Sequence, residues 1–256
     1  MRTIDNDLTL RLAADERDLR AAQRLRYEVF VEEMGGDGPM VDHKRRLERD
    51  AFDEVCDHLV LVDAARDPSG LDHVVGVYRL LRDDQLAPNG RFYSETEYDL
   101  APLRQSGRSL LELGRSCLHP NYRGGGAMFQ LWKGLADYVT RHGSEILFGV
   151  ASFPGIDVEA LAMPLAQLHL AHLAPPELRV RSRMPQRMDL MPPEKIDRRR
   201  AMVATPALIK AYLRLGGHVG WGAFIDRQFN TVDVCLVMDT ERLSGRGHNL
   251  YARGSA

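Results

Sequence analysis

The spacing of apolar residues predicts two amphipathic helices in the first half of the chain. Between Asp15 and Met34, apolar residues recur every three or four positions, and Gly35 follows as a helix stop. A second helix begins after Gly126 and ends at His142, before a glycine. Its apolar positions are Met128, Leu131, Trp132, Leu135 and Val139. Each helix therefore has one face to bury.

Continuous apolar runs predict the strands. Residues 58–64 and 73–81 are two such runs joined by the turn at 67–70, which indicates an antiparallel hairpin. Further strands are predicted from Leu110 onwards and over residues 146–152, 178–184, 219–225 and 231–238. Further helices are predicted over residues 157–173, interrupted by Pro164, and from the cap Thr205 with Pro206 to Gly216. We expect a single domain over residues 1–256, with an insert at about 82–109 and a C-terminal αββ extension from about 201.

The turn between the strand at Leu110 and the central helix carries three consecutive glycines, Gly124, Gly125 and Gly126. Glycine has no Cβ and adopts positive φ readily, so an anion can approach the backbone closely. The first N–H groups of a helix lack intrahelical partners, and the helix dipole adds positive charge at this end. The pattern predicts a phosphate cradle at the start of the helix.

Two better-known phosphate motifs do not fit this turn, and glycine-rich turns also occur where nothing binds. A P-loop continues with Lys and then Ser or Thr, whereas Ala127 and Met128 follow here. A dinucleotide-binding turn lies near the start of a βαβ unit, whereas this turn lies in mid-chain. The pattern alone leaves the ligand of the cradle open.

Composition narrows the class of protein. With 256 residues, 44% of them hydrophobic, the chain can bury one sizeable core. A formal net charge of −2 argues against nucleic acid as a partner, so any basic partner surface is local. The first residues lack an apolar signal region, and no stretch approaches the roughly 18 apolar residues of a membrane span. We therefore expect a cytoplasmic protein.

Cysteine and histidine spacing does not indicate a metal site. Cys56, Cys117 and Cys235 are widely separated and odd in number, which favours reduced thiols. Cys117 lies close to the cradle, but no base stands near it in the sequence, and we interpret it as a small buried residue. His169 and His172 lie one helical turn apart without a third ligand. We expect no metal and no permanently bound cofactor.

Residues 118–127 resemble the acyl-donor motif of the GNAT N-acyltransferase superfamily. That motif reads Gln/Arg-x-x-Gly-x-Gly/Ala at the start of a helix. Gly124 and Gly126 match its two fixed positions, and Asn121 replaces the Gln or Arg. The replacement removes a side chain but keeps the backbone donors, so we expect donor binding to survive.

Several other segments are similar to branches of this superfamily. Resemblance to acyl-homoserine-lactone synthases is carried by residues 26–30, Asp50, Asp53, Asp57, residues 78–81 and residues 112–115. Those synthases have a tryptophan shortly after the first helix, where this chain has Gly35, Gly36 and Asp37. Over residues 15–239, including 211–216 and 228–234, the chain is more similar to the bacterial L-ornithine Nα-acyltransferases.

The resemblance implies an α/β (α+β) fold of the GNAT acyltransferase type, with a central mixed, mostly antiparallel twisted sheet flanked by helices. It implies transfer of a (3-hydroxy)acyl chain from acyl carrier protein to the α-amine of L-ornithine, which gives a lyso-ornithine lipid. The donor is acyl-phosphopantetheine on the carrier protein or in coenzyme A. Its contacts are expected at Leu118, Arg123, Gly124, Gly125, Gly126 and Ala127. Peripheral contact with the inner membrane surface follows from the lipid product alone.

Aminolysis of a thioester requires a neutral amine. An α-amino group has a pKa of about 7.7–8.0, so a base must remove a proton near neutral pH. Glu112 is our candidate, and a salt bridge from Glu112 to Arg115 or Arg79 is the competing interpretation. In a regular strand Glu112 and Arg115 point to opposite faces. We predict a bulge near Gly114 that lets both residues serve one catalytic site.

Ornithine presents one carboxylate and two ammonium groups. Arg79 or Arg115 suits the carboxylate, and Asp50, Asp53 or Asp233 suits the δ-ammonium. Acceptor contacts at Asn230 and Asp233 are implied by the resemblance alone. The basic patch expected to guide the acidic carrier protein consists of Lys195, Arg198, Arg199 and Arg200, together with Arg123.

Two other functions fit the same residues. One is a different N-acyltransferase, either an acyl-homoserine-lactone synthase or a coenzyme-A-dependent enzyme. The missing tryptophan and the αββ extension argue against a lactone synthase. The other is a non-catalytic module that binds acyl carrier protein, and replacement of Glu112 by Gln separates that module from an enzyme.

Overall fold

The computed structural model describes residues 8–87, 90–124 and 126–242. These residues form two compact units. The first unit contains residues 8–81 and 113–142, and the second contains residues 82–112 and 143–242, in each case apart from the positions just excluded.

The elements are numbered in chain order. The strands are β1 (Leu8–Leu12), β2 (Asp57–Asp63), β3 (Val74–Arg82), β4 (Tyr98–Asp99), β5 (Leu110–Leu118), β6 (Ile146–Pro154), β7 (Arg181–Ser182), β8 (His218–Val219), β9 (Phe224–Asp226) and β10 (Thr231–Asp239). The helices are α1 (Glu16–Arg26), α2 (Ala101–Gln105), α3 (Ala127–His142), α4 (Ala162–His172), α5 (Arg198–Ala204) and α6 (Ala207–Arg214).

The sheet of the first unit is antiparallel. β2 pairs with β1 on one side and with β3 on the other, which confirms the predicted hairpin. The end of β5 follows β3 in the strand order. Two glycines allow close packing: a Cβ on Gly134 of α3 would lie 2.3 Å from Leu10 Cδ2, and a Cβ on Gly76 would lie 2.7 Å from Leu118 Cδ2. Helix α3 therefore lies directly on the sheet, and its start has a fixed position beside the end of β5.

The first predicted helix is present in two parts. Asp15 caps α1 by accepting the N–H of Asp18 at 2.9 Å, as its sequence position suggests. After Arg26 the chain continues as a π-helical segment, Tyr27–Glu33. Such segments are rare and are frequently found at functional sites. This one places Glu33 beside the glycine turn, as described below.

The sheet of the second unit is built on β6 and β10. These two strands are antiparallel along their whole length, from Thr231 opposite Pro154 to Asp239 opposite Ile146. β6 is parallel to the first three residues of β5, while β8 and β9 are antiparallel to β10. The expected mixed, mostly antiparallel sheet with flanking helices is confirmed.

Several element boundaries differ from the predictions. Helix α4 begins at Ala162 rather than near 157, which places Pro164 in its first turn, where the missing N–H needs no partner. Thr205 ends α5, and Pro206 caps α6. The strand predicted over 178–184 is reduced to Arg181–Ser182, and β1 was not predicted. No helix in the described parts of the chain is long and apolar enough to cross a membrane.

Candidate active site

The glycine turn joins the end of β5 to α3. The His119 ring accepts the N–H of Asn121 at 3.2 Å, which starts a short turn over Pro120–Tyr122. Gly124 has a φ of +80°, and no atom lies within 4 Å of the place a Cβ would occupy. The Gly126 carbonyl then accepts the N–H of Gln130 as the helix begins. An exposed glycine with positive φ before a helix N-terminus is the geometry that the sequence predicted, while Gly125 lies outside the described residues.

Arg123 stabilises the glycine turn. Its guanidinium forms two hydrogen bonds to the Glu33 carboxylate at 2.6 and 2.7 Å, and its Nε donates to the Leu118 carbonyl at 3.1 Å. The hydrogen bond from Arg123 lowers the pKa of Glu33. Leu118 and Ala127, the other predicted donor contacts, are buried on either side of the turn. Arg123 therefore links the turn to the end of the π-helical segment.

Four predicted site residues meet in one ionic network of the first unit. Arg79 contacts Asp50 at 2.5 Å and Asp53 at 2.9 Å, and Arg115 contacts Asp50 at 3.2 Å. Two further members were not predicted as site residues. Arg26, which is fully buried, pairs with Glu48 and with Asp53, and Arg115 lies 3.3 Å from Glu48.

The charges of this network balance. Three guanidinium groups (Arg26, Arg79, Arg115) face three carboxylates (Glu48, Asp50, Asp53), so the formal sum is zero. Burial disfavours the ionised form of Asp53, but the charge and hydrogen bonds of Arg26 outweigh burial and lower the pKa of Asp53. For Asp50, burial is likewise outweighed by Arg79 and Arg115, and its pKa is lowered. Both aspartates are therefore ionised at neutral pH.

Glu112 is fixed by the backbone of the insert. It is 5% exposed, and its two carboxylate oxygens accept the N–H groups of Tyr93 at 2.9 Å and Ser94 at 2.6 Å. These N–H groups begin a short 3-10 turn, Tyr93–Thr96. Two such hydrogen bonds favour the ionised carboxylate and fix its orientation. The predicted insert thus contributes the groups that position the candidate base.

Strand β5 is irregular next to Gly114. Arg115 has a φ of +49°, a left-handed conformation that is uncommon for a residue with a side chain. One left-handed residue inside a strand changes the alternation of side chains as a β-bulge does. The irregularity predicted near Gly114 therefore occurs at Arg115. The contacts of the Arg115 side chain to Glu48 and Asp50 belong to the ionic network.

The two C-terminal acceptor candidates occupy different positions on the β9–β10 hairpin. Asn230 lies in the turn with a φ of +52°. Asp233 is 3% exposed on β10, and its carboxylate lies with those of Glu97 and Asp226 in a group whose ligand atoms are all within 4.8 Å of one another. Glu97 and Asp226 were not predicted, because they are far apart in the sequence and match no motif.

Four residues of the predicted carrier-protein patch are on the surface of the second unit, whereas the fifth, Arg123, belongs to the first unit. Lys195, Arg198, Arg199 and Arg200 are all exposed. Asp197 caps α5 by accepting the N–H of Arg200 at 3.0 Å. Val203, on the same helix, is 76% exposed, so an apolar side chain accompanies the basic ones.

Known proteins are similar to this chain in sequence and in structure. The family model for the acetyltransferase (GNAT) domain matches residues 25–133. An L-ornithine N(alpha)-acyltransferase of Rhodobacter capsulatus is 62% identical over 244 residues, which are 95% of this chain and 94% of that protein. The protein of the same name from Agrobacterium fabrum is 42% identical over 249 residues, 95% of this chain and 85% of that one.

A solved structure has a fold similar to that of this chain. The structure of FeeM, an N-acyl amino acid synthase from uncultured soil microbes, superimposes with a TM-score of 0.54 and covers 94% of this chain and 97% of its own. The two sequences are 11% identical, so this likeness concerns the fold alone. The identity of the two sequence relatives, 62% and 42%, is much higher, at similar coverage. The chain is therefore an N-acyltransferase and belongs to the L-ornithine N(alpha)-acyltransferase family within the GNAT superfamily.

Proposed function

We propose that this enzyme transfers a 3-hydroxyacyl chain from acyl carrier protein to the α-amine of L-ornithine, which yields a lyso-ornithine lipid. The observation that carries the proposal is the 62% identity, over nearly the whole of both chains, to a protein named for N(alpha)-acylation of L-ornithine. The carrier-protein donor and the lipid product rest on the family resemblance. Peripheral contact with the inner membrane surface would follow from that product.

The glycine turn supports the donor half of the proposal. The phosphate of phosphopantetheine carries negative charge and needs N–H donors, which the start of α3 supplies. Gly124 leaves room for its approach because no atom lies within 4 Å of its missing Cβ. Arg123 holds the turn through Glu33 and Leu118, so we assign it to positioning rather than to direct phosphate contact.

Glu112 is the proposed general base. The α-ammonium of ornithine loses a proton to the Glu112 carboxylate, directly or through a water, and the neutral nitrogen attacks the thioester carbonyl carbon. The tetrahedral intermediate collapses with cleavage of the C–S bond, which leaves an amide and a thiolate. The nitrogen gives up its second proton as the amide forms, so that of the two protons released one neutralises the thiolate and the other passes to solvent, which returns Glu112 to its ionised form. The hydrogen bonds from Tyr93 and Ser94 fix the direction of the carboxylate, which is what proton transfer at a defined distance requires.

The ionic network supports a site for the acceptor carboxylate. Asp50 has a 20% exposed side chain, against 2% for Glu48 and 3% for Asp53, so it is the most accessible carboxylate of the network. We propose that the ornithine carboxylate displaces Asp50 from Arg79 and Arg115. A bidentate arginine contact would then fix the amino acid by its carboxylate.

The test is a product assay with the purified enzyme. Thioesters of acyl carrier protein and of coenzyme A are each offered with a panel of amino acids that includes ornithine, lysine and homoserine, and products are identified by mass spectrometry. We expect N-acyl ornithine from the carrier-protein thioester at the highest rate. No N-acyl ornithine from any donor would overturn the proposal, and equal rates from both donors would overturn the assignment of the carrier protein.

A further inference from the structure

Three carboxylates of the second unit converge in its interior. Glu97 follows the Tyr93–Thr96 turn, Asp226 ends β9, and Asp233 lies on β10. Their ligand oxygens are all within 4.8 Å of one another, and the residues are 3%, 9% and 3% exposed. Three carboxyl groups at this spacing in a region of low dielectric can all be ionised only beside a compensating cation, so a cationic ligand would stabilise their ionised form.

Thr231 adds an independent observation. It is 2% exposed, and within the described chain its hydroxyl has no hydrogen-bond partner. Thr231 lies directly opposite Asp226 in the β9–β10 ladder and two residues before Asp233 on the same strand. Cross-strand partners, and residues two apart on a strand, share one face. The Thr231 hydroxyl is therefore directed to the same face as these two carboxylates, where a ligand would satisfy it.

Backbone N–H groups orient the Asp226 carboxylate. One of its carboxylate oxygens accepts the N–H groups of Gln228 at 2.8 Å and Phe229 at 3.1 Å, which fixes its orientation. No salt bridge to Asp226 is formed by residues 8–87, 90–124 or 126–242. Both N–H groups donate to the same oxygen, Oδ1, so the other carboxylate oxygen of Asp226 is the one that can contact a cationic ligand.

The spacing suits a primary ammonium group. Such a group has three N–H donors in tetrahedral directions, and hydrogen bonds of about 2.9 Å place its three acceptors about 4.7 Å apart. We propose that Glu97, Asp226 and Asp233 bind the δ-ammonium group of the acceptor amino acid, and that the Thr231 hydroxyl shares one of its three N–H groups with a carboxylate. This inference rests on the proposed function, because ornithine is the substrate that brings a second amino group.

The position of Glu97 relative to Glu112 agrees with this assignment. Glu112 binds the N–H groups at the start of the Tyr93–Thr96 turn, and Glu97 follows its end. A 3-10 turn rises about 2 Å per residue, so the backbone of Glu97 is about 8 Å from that of Tyr93, four residues earlier. Cys235 lies near both carboxylates: burial raises the pKa of its thiol, and the charges of Glu112 and Glu97 raise it further. The two amino groups of ornithine, separated by the α-carbon and three methylenes, fit a base at one end of the turn and an acidic group at the other.

The test compares ornithine with norvaline, which has the same carbon chain without the δ-amine. The measured quantity is the ratio of kcat/KM for ornithine to kcat/KM for norvaline. In Asp226→Asn and Glu97→Gln we expect this ratio to fall about tenfold or more, because each change removes a charged hydrogen bond. Asp99→Asn, at an exposed aspartate of β4, should leave the ratio unchanged. A ratio that stays at the wild-type value in both cluster variants would overturn the inference.

Thr231→Val is a second test, which applies even if the carboxylate variants fail to fold. Removing a hydroxyl that has no ligand should not alter selectivity, whereas a hydroxyl that binds ammonium should lower the ratio when it is removed. An unchanged ratio in a folded Thr231→Val variant would contradict a role for the hydroxyl. Loss of ornithine activity on chelation, with recovery in Ca²⁺, would identify a metal site and overturn the ammonium assignment. If the wild-type enzyme acylates no ornithine at all, the proposed function fails instead.

Discussion

Replacement of Arg26 by Met tests the ionic network directly. The Arg26 side chain is 0% exposed, and its partners Glu48 and Asp53 are 2% and 3% exposed. Met replaces only the stem of the arginine side chain and carries no charge, so the variant leaves three carboxylates, two of them buried, facing two guanidinium groups. Removal of one partner from a buried ion pair costs about 3–5 kcal/mol, because an uncompensated charge remains. Against a total stability of about 5–15 kcal/mol for a typical domain, this is a large loss.

The assay is urea unfolding followed by circular dichroism, with two matched variants. Arg46→Met removes an ion pair at the surface, since the side chains of Arg46 and Glu32 are each 44% exposed. This change should lower the free energy of unfolding by less than about 1 kcal/mol. Arg26→Met combined with Asp53→Asn removes one charge of each sign and should cost less than the sum of the two single changes. If Arg26→Met destabilises no more than Arg46→Met, the network does not stabilise the fold as argued.

Four further predictions concern catalysis and stability. Glu112→Gln should lower kcat by about 100-fold or more while donor binding is retained, and stopped-flow kinetics with ornithine would check this. Gly124→Ala should lower the free energy of unfolding by roughly 1 kcal/mol, because Gly124 has a positive φ, and it should raise KM for the donor thioester. An unchanged KM would argue against a phosphate cradle at this turn. Replacement of Arg198, Arg199 and Arg200 by Gln should raise KM for the carrier-protein donor several-fold at low salt and leave KM for a coenzyme A donor unchanged. Equal effects on both donors would contradict docking of the carrier protein at this patch. The contribution of Asp50 and Asp53 to the free energy of unfolding should be constant above about pH 5 and fall below about pH 4. The reason is that folding lowers the pKa of Asp50 and of Asp53. The stability that these two ionised carboxylates contribute is complete above their pKa in the unfolded chain, and it is lost as the pH falls through their pKa in the folded protein. An acid transition identical in Asp53→Asn would contradict that attribution.

The Glu112→Gln variant needs a control for structure. The carboxylate accepts two backbone N–H groups, one on each oxygen, and the amide of Gln would place a donor against one of them. The turn at Tyr93 could shift for that reason alone. A base and a positioning residue differ in the pH profile: loss of a base removes the acid limb of log kcat/KM, whereas a shifted turn lowers the whole profile. An acid limb retained in Glu112→Gln would assign the general base to another group.

Local patterns predicted much of the fold. Two continuous apolar runs and the turn between them predict the β2–β3 hairpin, and the helical spacing of apolar residues with the following glycine predicts α3. β1 was missed, although Leu8, Leu10 and Leu12 alternate with polar residues. Its run is short, and it becomes a strand because β2 lies beside it. Tertiary pairing, rather than local preference, decides such segments.

The site was predictable only where a motif carried it. The glycine turn is local, so its positive φ and its helix could be predicted from adjacent residues. The role of Arg26 could not, because its partners Glu48 and Asp53 lie more than 20 residues away along the chain. The same holds for Glu97 and Asp226, which only the fold places beside Asp233. Burial of a charged residue depends on partners that single-sequence patterns do not identify.

The most direct test of the central claim is a single-turnover reaction with the 3-hydroxyacyl thioester of acyl carrier protein and L-ornithine. Fragmentation of the product by tandem mass spectrometry determines which nitrogen carries the acyl chain. We expect one acyl group per ornithine, on the α-nitrogen, with release of the free carrier thiol. Acylation of the δ-nitrogen, or no transfer from the carrier protein under conditions where coenzyme A thioesters react, would contradict it.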